Sequence, residues 1–166
     1  MLAEIRGLER FERLVWDGAR RCLQRFGVGT YERRGSDMGY EDELKTFEDL
    51  KCWQACRELR RFCYDVCKNM PKEETFRLKD QIMRAGRSTT ANIAEGYGRF
   101  HYKENIQFCR NARGSVYEVL DHFIAANDEN MATGEILKEC RGKVRESVAL
   151  LNGYIKYLKT QLNKEK

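Results

Sequence analysis

The chain has 166 residues, a single proline at Pro71 and 42% apolar residues, enough for one domain with its own core plus an appendage. No apolar run reaches the roughly 20 residues that cross a bilayer, and the first turn carries acids and arginine where a signal peptide turns apolar, which points to a cytoplasmic protein. The net charge of +5 suits a polyanionic partner without requiring one.

Scarce proline and apolar residues at three- and four-residue steps predict an all-α chain. The first helix is expected over 4–26, where Leu8, Phe11, Val15, Cys22 and Phe26 form one stripe. Gly27-Val28-Gly29 ends it, and the polar stretch "TYERRGSDMGYEDELK" follows as a linker. Residues 1–45 thus read as an N-terminal helix and linker, and residues 46–166 as the main domain. Met38 opens "MGYEDELKTFEDL" like a fresh N-terminus, which would set residues 1–37 outside the native product; the intact mass of protein made from its own gene decides between Met1 and Met38. Charge is unevenly spread: residues 1–45 balance to zero, 46–100 carry an excess of three positive charges and 101–166 an excess of two.

From Thr46 the helix signals strengthen. "TFED" places an acid three residues after a threonine, a capping-box pattern, and a helix is expected over 48–69 until Met70-Pro71 stops it. "PKEE" restarts one with acids in its first turn, giving a second helix over 72–98. A third is expected over 102–128, a break at "NDENMATGE", and a fourth over 134–162. Four helices of roughly 35–40 Å with short connections predict an antiparallel up-down-up-down four-helix bundle.

Cys52, Cys56, Cys63 and Cys67 fall within a roughly 60° arc of the first bundle helix, together with Leu59, Val66 and Met70. They read as small core residues of a reducing compartment. A metal or redox site is the alternative, but the chain has two histidines, and four thiols along one helix cannot surround one tetrahedral ion. No metal and no cofactor are expected.

The stretch "STTANIAEGYGR", residues 88–99, carries the most information. On the second bundle helix Ile82, Ala85, Thr89, Asn92, Ile93 and Gly96 share one side with Leu78. Phe76, Met83, Thr90, Ala94 and Tyr97 lie about 100–160° away. Two apolar sides are more than a surface helix needs, and a second copy of the chain is the expected cover for the second set, making it an oligomer interface. Gly86, Ala91, Ala94 and Gly96 lower the side-chain wall so that another helix can come close. Asn92, turned inward, needs a hydrogen-bond partner. The glycines are no phosphate loop: "GYGR" lacks the Gly-Lys-Ser/Thr ending and follows no strand. Ser88 and Ser115 lack a base, with His101 in a turn and His122 expected on the outer side of the third helix. Glu95 and Arg99 read as a salt bridge. No catalytic residues are expected.

"FEDLKCWQACRELRRFCYDVCKNMPKEETFRLKDQIMRAGRSTTANIAEGYGR" and "QFCRNARGSVYEVLDH" resemble the bacterial four-helix bundle family encoded in intervening sequences of 23S ribosomal RNA genes. The likeness covers about 46–160, with Trp53, Pro71, Leu78, Ser88, Asn92, Gly96, Ala112, Gly114, Ser115 and Tyr157 among the matching positions. The resemblance implies a cytosolic antiparallel bundle that assembles into a homopentamer. It also implies kinship with basic accessory proteins of diversity-generating retroelements, which bind nucleic acid and a reverse transcriptase. The cysteine stripe and the N-terminal extension depart from the family's pattern.

Candidate nucleic-acid contacts are Arg77, Arg84, Arg87 and Arg99 on the second helix and Lys103, Arg110, Arg113 and Tyr117 on the third, opposite Phe108, Ala112, Val116, Val119 and Phe123. The cations would meet phosphates and the tyrosine would stack on a base. Glu118 and Asp121 dilute that surface, and taken singly the arginines read as salt-bridged. Repeated around a ring, the charge per chain becomes a large field. The leading expectation is therefore a non-enzymatic oligomer binding RNA or ribonucleoprotein. The alternative is a protein adaptor, for example an accessory subunit of a reverse transcriptase, with nucleic-acid binding secondary.

Overall fold

The computed structural model describes residues 46–74 and 76–164; the expected helix over 4–26, the linker and Met38 lie outside the described residues. Among the described residues there are four long helices and no strand. The Thr46 capping box forms as expected, its hydroxyl accepting from Glu48 N at 3.2 Å and its own N–H donating to Asp49 at 3.0 Å. It caps only a short 3-10 turn, Phe47–Asp49, after which α1 runs over Lys51–Lys68. Phe47 sets its ring edge-on to Trp53 at 5.3 Å and closes the start of α1.

The second helix begins later than the sequence suggests. Lys72–Glu74 form a 3-10 turn, and α2 runs over Leu78–Gly98. The Glu74 carboxylate reaches forward to accept from Leu78 N at 3.3 Å, so the acids after Pro71 cap a helix that starts further on. Phe76 consequently sits in the connection, not on the helix, and is 93% exposed. Beyond Arg99, Phe100 adopts φ 56° and turns the chain into α3, Tyr102–Asp128. Asn130 takes φ 59°, a conformation that asparagine tolerates, before α4, Gly134–Lys164.

Each helix packs on its neighbours in sequence, and α4 also packs on α1. The shared core contains Leu59, Ile82, Ile93, Val116, Val119, Phe123, Leu151 and Leu158, all fully buried. Cysteines fill the gaps between these larger groups. Cys52, Cys56, Cys63 and Cys67 line the buried side of α1, joined by Cys109 from α3 and Cys140 from α4, all as free thiols. The Ser147 hydroxyl is buried among them without a conventional hydrogen-bond partner.

One of two buried glycines of α2 permits a close approach inside the chain. A methyl group on Gly96 would stand 2.7 Å from Phe108 Cβ on α3, whereas one on Gly86 would meet Cys63 of α1 at an ordinary 3.5 Å. Gly96→Ala should therefore lower unfolding free energy by about 1–3 kcal/mol, because two backbones must separate. Gly86→Ala should leave it unchanged or raise it by up to about 1 kcal/mol through helix propensity. Urea titration of the two variants checks the contrast.

Burial pushes the thiols up, Cys67 to about 11 and Cys56, Cys109 and Cys140 to about 12. An unfolded thiol ionises near about 8.5. The fold thus retains protons that the open chain releases, and its stability is full below about pH 8.5 and falls as pH climbs through the folded values. Unfolding free energy at pH 10 should lie at least about 2 kcal/mol below that at pH 7.5, Cys56 alone accounting for that much. Urea titrations at the two pH values under reductant measure the difference.

Candidate nucleic-acid interface

The cations anticipated on α2 turn out to be mostly matched by acids. Arg77 pairs with Glu74 at 3.6 Å and Arg84 with Asp80 at 3.9 Å. Arg99 pairs with Glu95 at 2.8 Å and lies 3.9 Å from Glu104. Its guanidinium also stacks over the Phe108 ring, 5.5 Å from the centroid. Arg87 alone of the four has no carboxylate partner among the described residues.

The cations of α3 are differently placed. Lys103, Arg110 and Arg113 have no carboxylate partner among the described residues. Arg113 donates instead to the neutral Asn152 of α4 at 2.6 Å, which leaves its charge uncompensated. Tyr117, one turn on from Arg113, is 53% exposed. Arg113 is turned away from α2. Ser88 meets Ser115 at 2.8 Å on one edge of α3, and Arg113 reaches α4 from the other. The body of α3 stands between Arg113 and α2.

Where α2 and α3 meet, Gln81, Arg84, Ala85, Ser88, Glu118 and His122 line a cleft of about 480 Å³. His122 is thus turned toward α2, correcting its expected outward position, and lies 3.8 Å from Glu118. Asn92 finds its partners on its own helix, donating to the Ser88 carbonyl at 2.8 Å and the Ser88 hydroxyl at 3.0 Å. Ser115 in turn reaches the Asn111 carbonyl at 3.3 Å. This chain of small polar groups ties α2 to α3; among the described residues the Ser88 hydroxyl contacts no base. No three His, Cys, Asp or Glu side chains among the described residues are grouped as a metal site requires.

Of the second apolar side of α2, Thr90 has a cover within the chain. Thr90 is buried, and its hydroxyl accepts from Arg60 of α1 at 2.8 Å, so it offers no surface to another copy. Met83, Ala94 and Tyr97 are half-buried, and Phe76 is exposed in the connection. α2 is packed on two sides, against α1 and α3, which accounts for Thr90 within the wide apolar arc.

Sequence reasoning missed the exposed cations of α4. Arg141, Arg145, Lys156 and Lys159 are exposed and lie 11 and 7 residues before, and 4 and 7 after, Asn152. That spacing returns to one helical edge. Asn152 identifies the edge as the one facing α3, information that needs the helix rotation as well as the sequence.

The family of the 23S rRNA-intervening sequence protein matches residues 48–153, more than half of the chain, and the chain belongs to it. The family is not a known enzyme class. No individually curated protein matches the sequence. Among the described residues no helix is long and apolar enough to cross a membrane.

Thr90→Val removes the acceptor for Arg60 and should cost about 0.5–1.5 kcal/mol in urea unfolding. Light scattering should find the particle mass unchanged, since the side chain faces α1.

Proposed function

We propose that this protein is a non-enzymatic, cytoplasmic four-helix bundle that self-associates, as a homopentamer on the family resemblance, and binds RNA or ribonucleoprotein through basic outer surfaces. Antiparallel up-down-up-down order is supported by the pairing of contacts. Arg60 meets Thr90 while Cys67 meets Lys79, and Ser88 meets Ser115 while Gly96 faces Phe108. In both helix pairs the numbers rise on one side as they fall on the other.

The observation that carries the RNA reading is the set of uncompensated charges at Arg87, Lys103, Arg110 and Arg113. Exposed like charges repel one another, and a phosphate backbone relieves that repulsion while releasing its own counterions. Self-association multiplies the effect, because each copy brings the same cations. Phe76, an apolar group left outside the fold before α2, supports the assembly, as do the only half-buried Met83, Ala94 and Tyr97 along the helix.

A second reading, an adaptor that grips a protein such as a reverse transcriptase, draws support from Phe100. This phenylalanine is 89% exposed and held at φ 56°. A bulky residue there carries backbone strain and exposed apolar area together, a combination suited to docking into a partner's pocket.

Filter binding of structured RNA at about 50 and 200 mM salt tests the leading reading, with retention expected at the lower salt and a steep fall at the higher. Absence of retention at low salt by folded oligomer would sink it. Protein partners recovered after nuclease treatment would favour the adaptor.

A further inference from the structure

The basic surface has a definite location. On α3, Arg113 reaches the edge turned toward α4, and Tyr117, Arg110 and Lys103 follow it round the outer side of the helix at about 40°, 60° and 80°. On α4, the edge marked by Asn152 carries Arg141, Arg145, Lys156 and Lys159. None of these seven cations has a carboxylate partner among the described residues.

Acids are sorted to other edges. On α4, Glu139 pairs with Lys143 at 3.5 Å, and both line the groove against α1. Glu135 and Glu146 fall at least about 100° from Asn152 around the helix. On α3, Glu118 turns with His122 into the cleft against α2, and Glu104 lies beside Arg99. Two acids of α3 lie near its basic edge: Asp121, about 20° from Arg110 around the helix, and Asp128, in line with Arg110 but at the far C-terminal end. Elsewhere the habit is mixed: Arg61, Lys68, Arg77, Arg84 and Arg99 have acids within reach, whereas Arg57, Arg60, Lys79 and Arg87 have no carboxylate partner among the described residues.

We infer that the α3–α4 seam, with its two rows of unpaired cations on adjacent helices, is the RNA-binding face and takes the phosphate backbone of double-helical RNA. The inference rests on the RNA reading above and names the face and the form of the ligand. From Arg141 to Lys159 the α4 row is about 27 Å long, and packed helices lie about 8–10 Å apart. A straight double row of charge suits a stiff rod of phosphates. Single-strand binders depend on several aromatic platforms for successive bases, and here Tyr117 is the one exposed aromatic among the described residues of the seam. A protein partner would want an apolar centre, whereas the most exposed apolar side chains, Phe76 and Phe100, sit in the connections at the ends of α2. Phosphate contact without base readout fits shape recognition of an A-form helix.

The test uses the full chain and a 20-base-pair RNA duplex of arbitrary sequence (roughly twice the length of the α4 row), read by fluorescence anisotropy. With about five phosphates neutralised, affinity should fall several-hundred-fold between about 50 and 200 mM salt. Arg145→Gln with Lys156→Gln should weaken binding at least about tenfold and reduce the salt slope by about 2. Arg61→Gln with Lys68→Gln removes the same charge from α1 and should stay within about twofold of the parent. The charge-retaining pair Arg145→Lys and Lys156→Arg should bind as the parent does, which separates loss of charge from loss of fold. Equal affinity in the parent and in Arg145→Gln/Lys156→Gln overturns the seam while leaving RNA binding standing. Stronger binding of single-stranded RNA or of a DNA duplex overturns the choice of ligand. A parent that holds no RNA but retains an acidic protein overturns the functional reading itself.

Discussion

The closeness of α2 to α3 governs the remaining geometry. Gly96 leaves so little room that Phe108 Cβ would lie 2.7 Å from an added methyl, and Ser88 bonds Ser115 two turns away along the same pair. These contacts fix the rotation of both helices about their axes. With that edge of α3 committed to α2, Glu118 and His122 are drawn into the cleft and Arg113 is sent to the opposite edge, where it meets Asn152. A buried packing constraint thereby decides which charges find acids and which remain bare.

Much of the architecture was legible because periodicity records burial directly. The cysteine row of α1 is the clearest case: Cys52, Cys56, Cys63 and Cys67 repeat at helical steps and all prove buried. Helix starts were less legible. Pro71 followed by two glutamates resembles a helix N-terminus, yet Glu74 folds forward onto Leu78 and the preceding residues remain a turn. The double apolar side of α2 was visible in the residues, but which of them the chain covers itself was not, since intramolecular and intermolecular burial leave the same pattern. Thr90 shows the difference, held by Arg60 from a helix thirty residues earlier.

Charge was the least legible property. A count by segment places the larger excess in 46–100, yet there the arginines of α2 are mostly offset by carboxylates one helical turn away. The smaller excess of 101–166 includes cations that lack such neighbours. What matters to a polyanion is the unmatched remainder, and that depends on helix rotation. Membership in the 23S rRNA-intervening sequence family gives this remainder a context without naming a ligand.

The cysteines of the core have a consequence beyond packing. Held protonated and out of solvent, Cys56 and Cys109 present almost no thiolate to an electrophile while the helices stay closed. Modification must wait for an excursion that opens the bundle core. Each sulfur is therefore a stopwatch built into the molecule, and the rate at which it is labelled reports how often that part of the interior breathes.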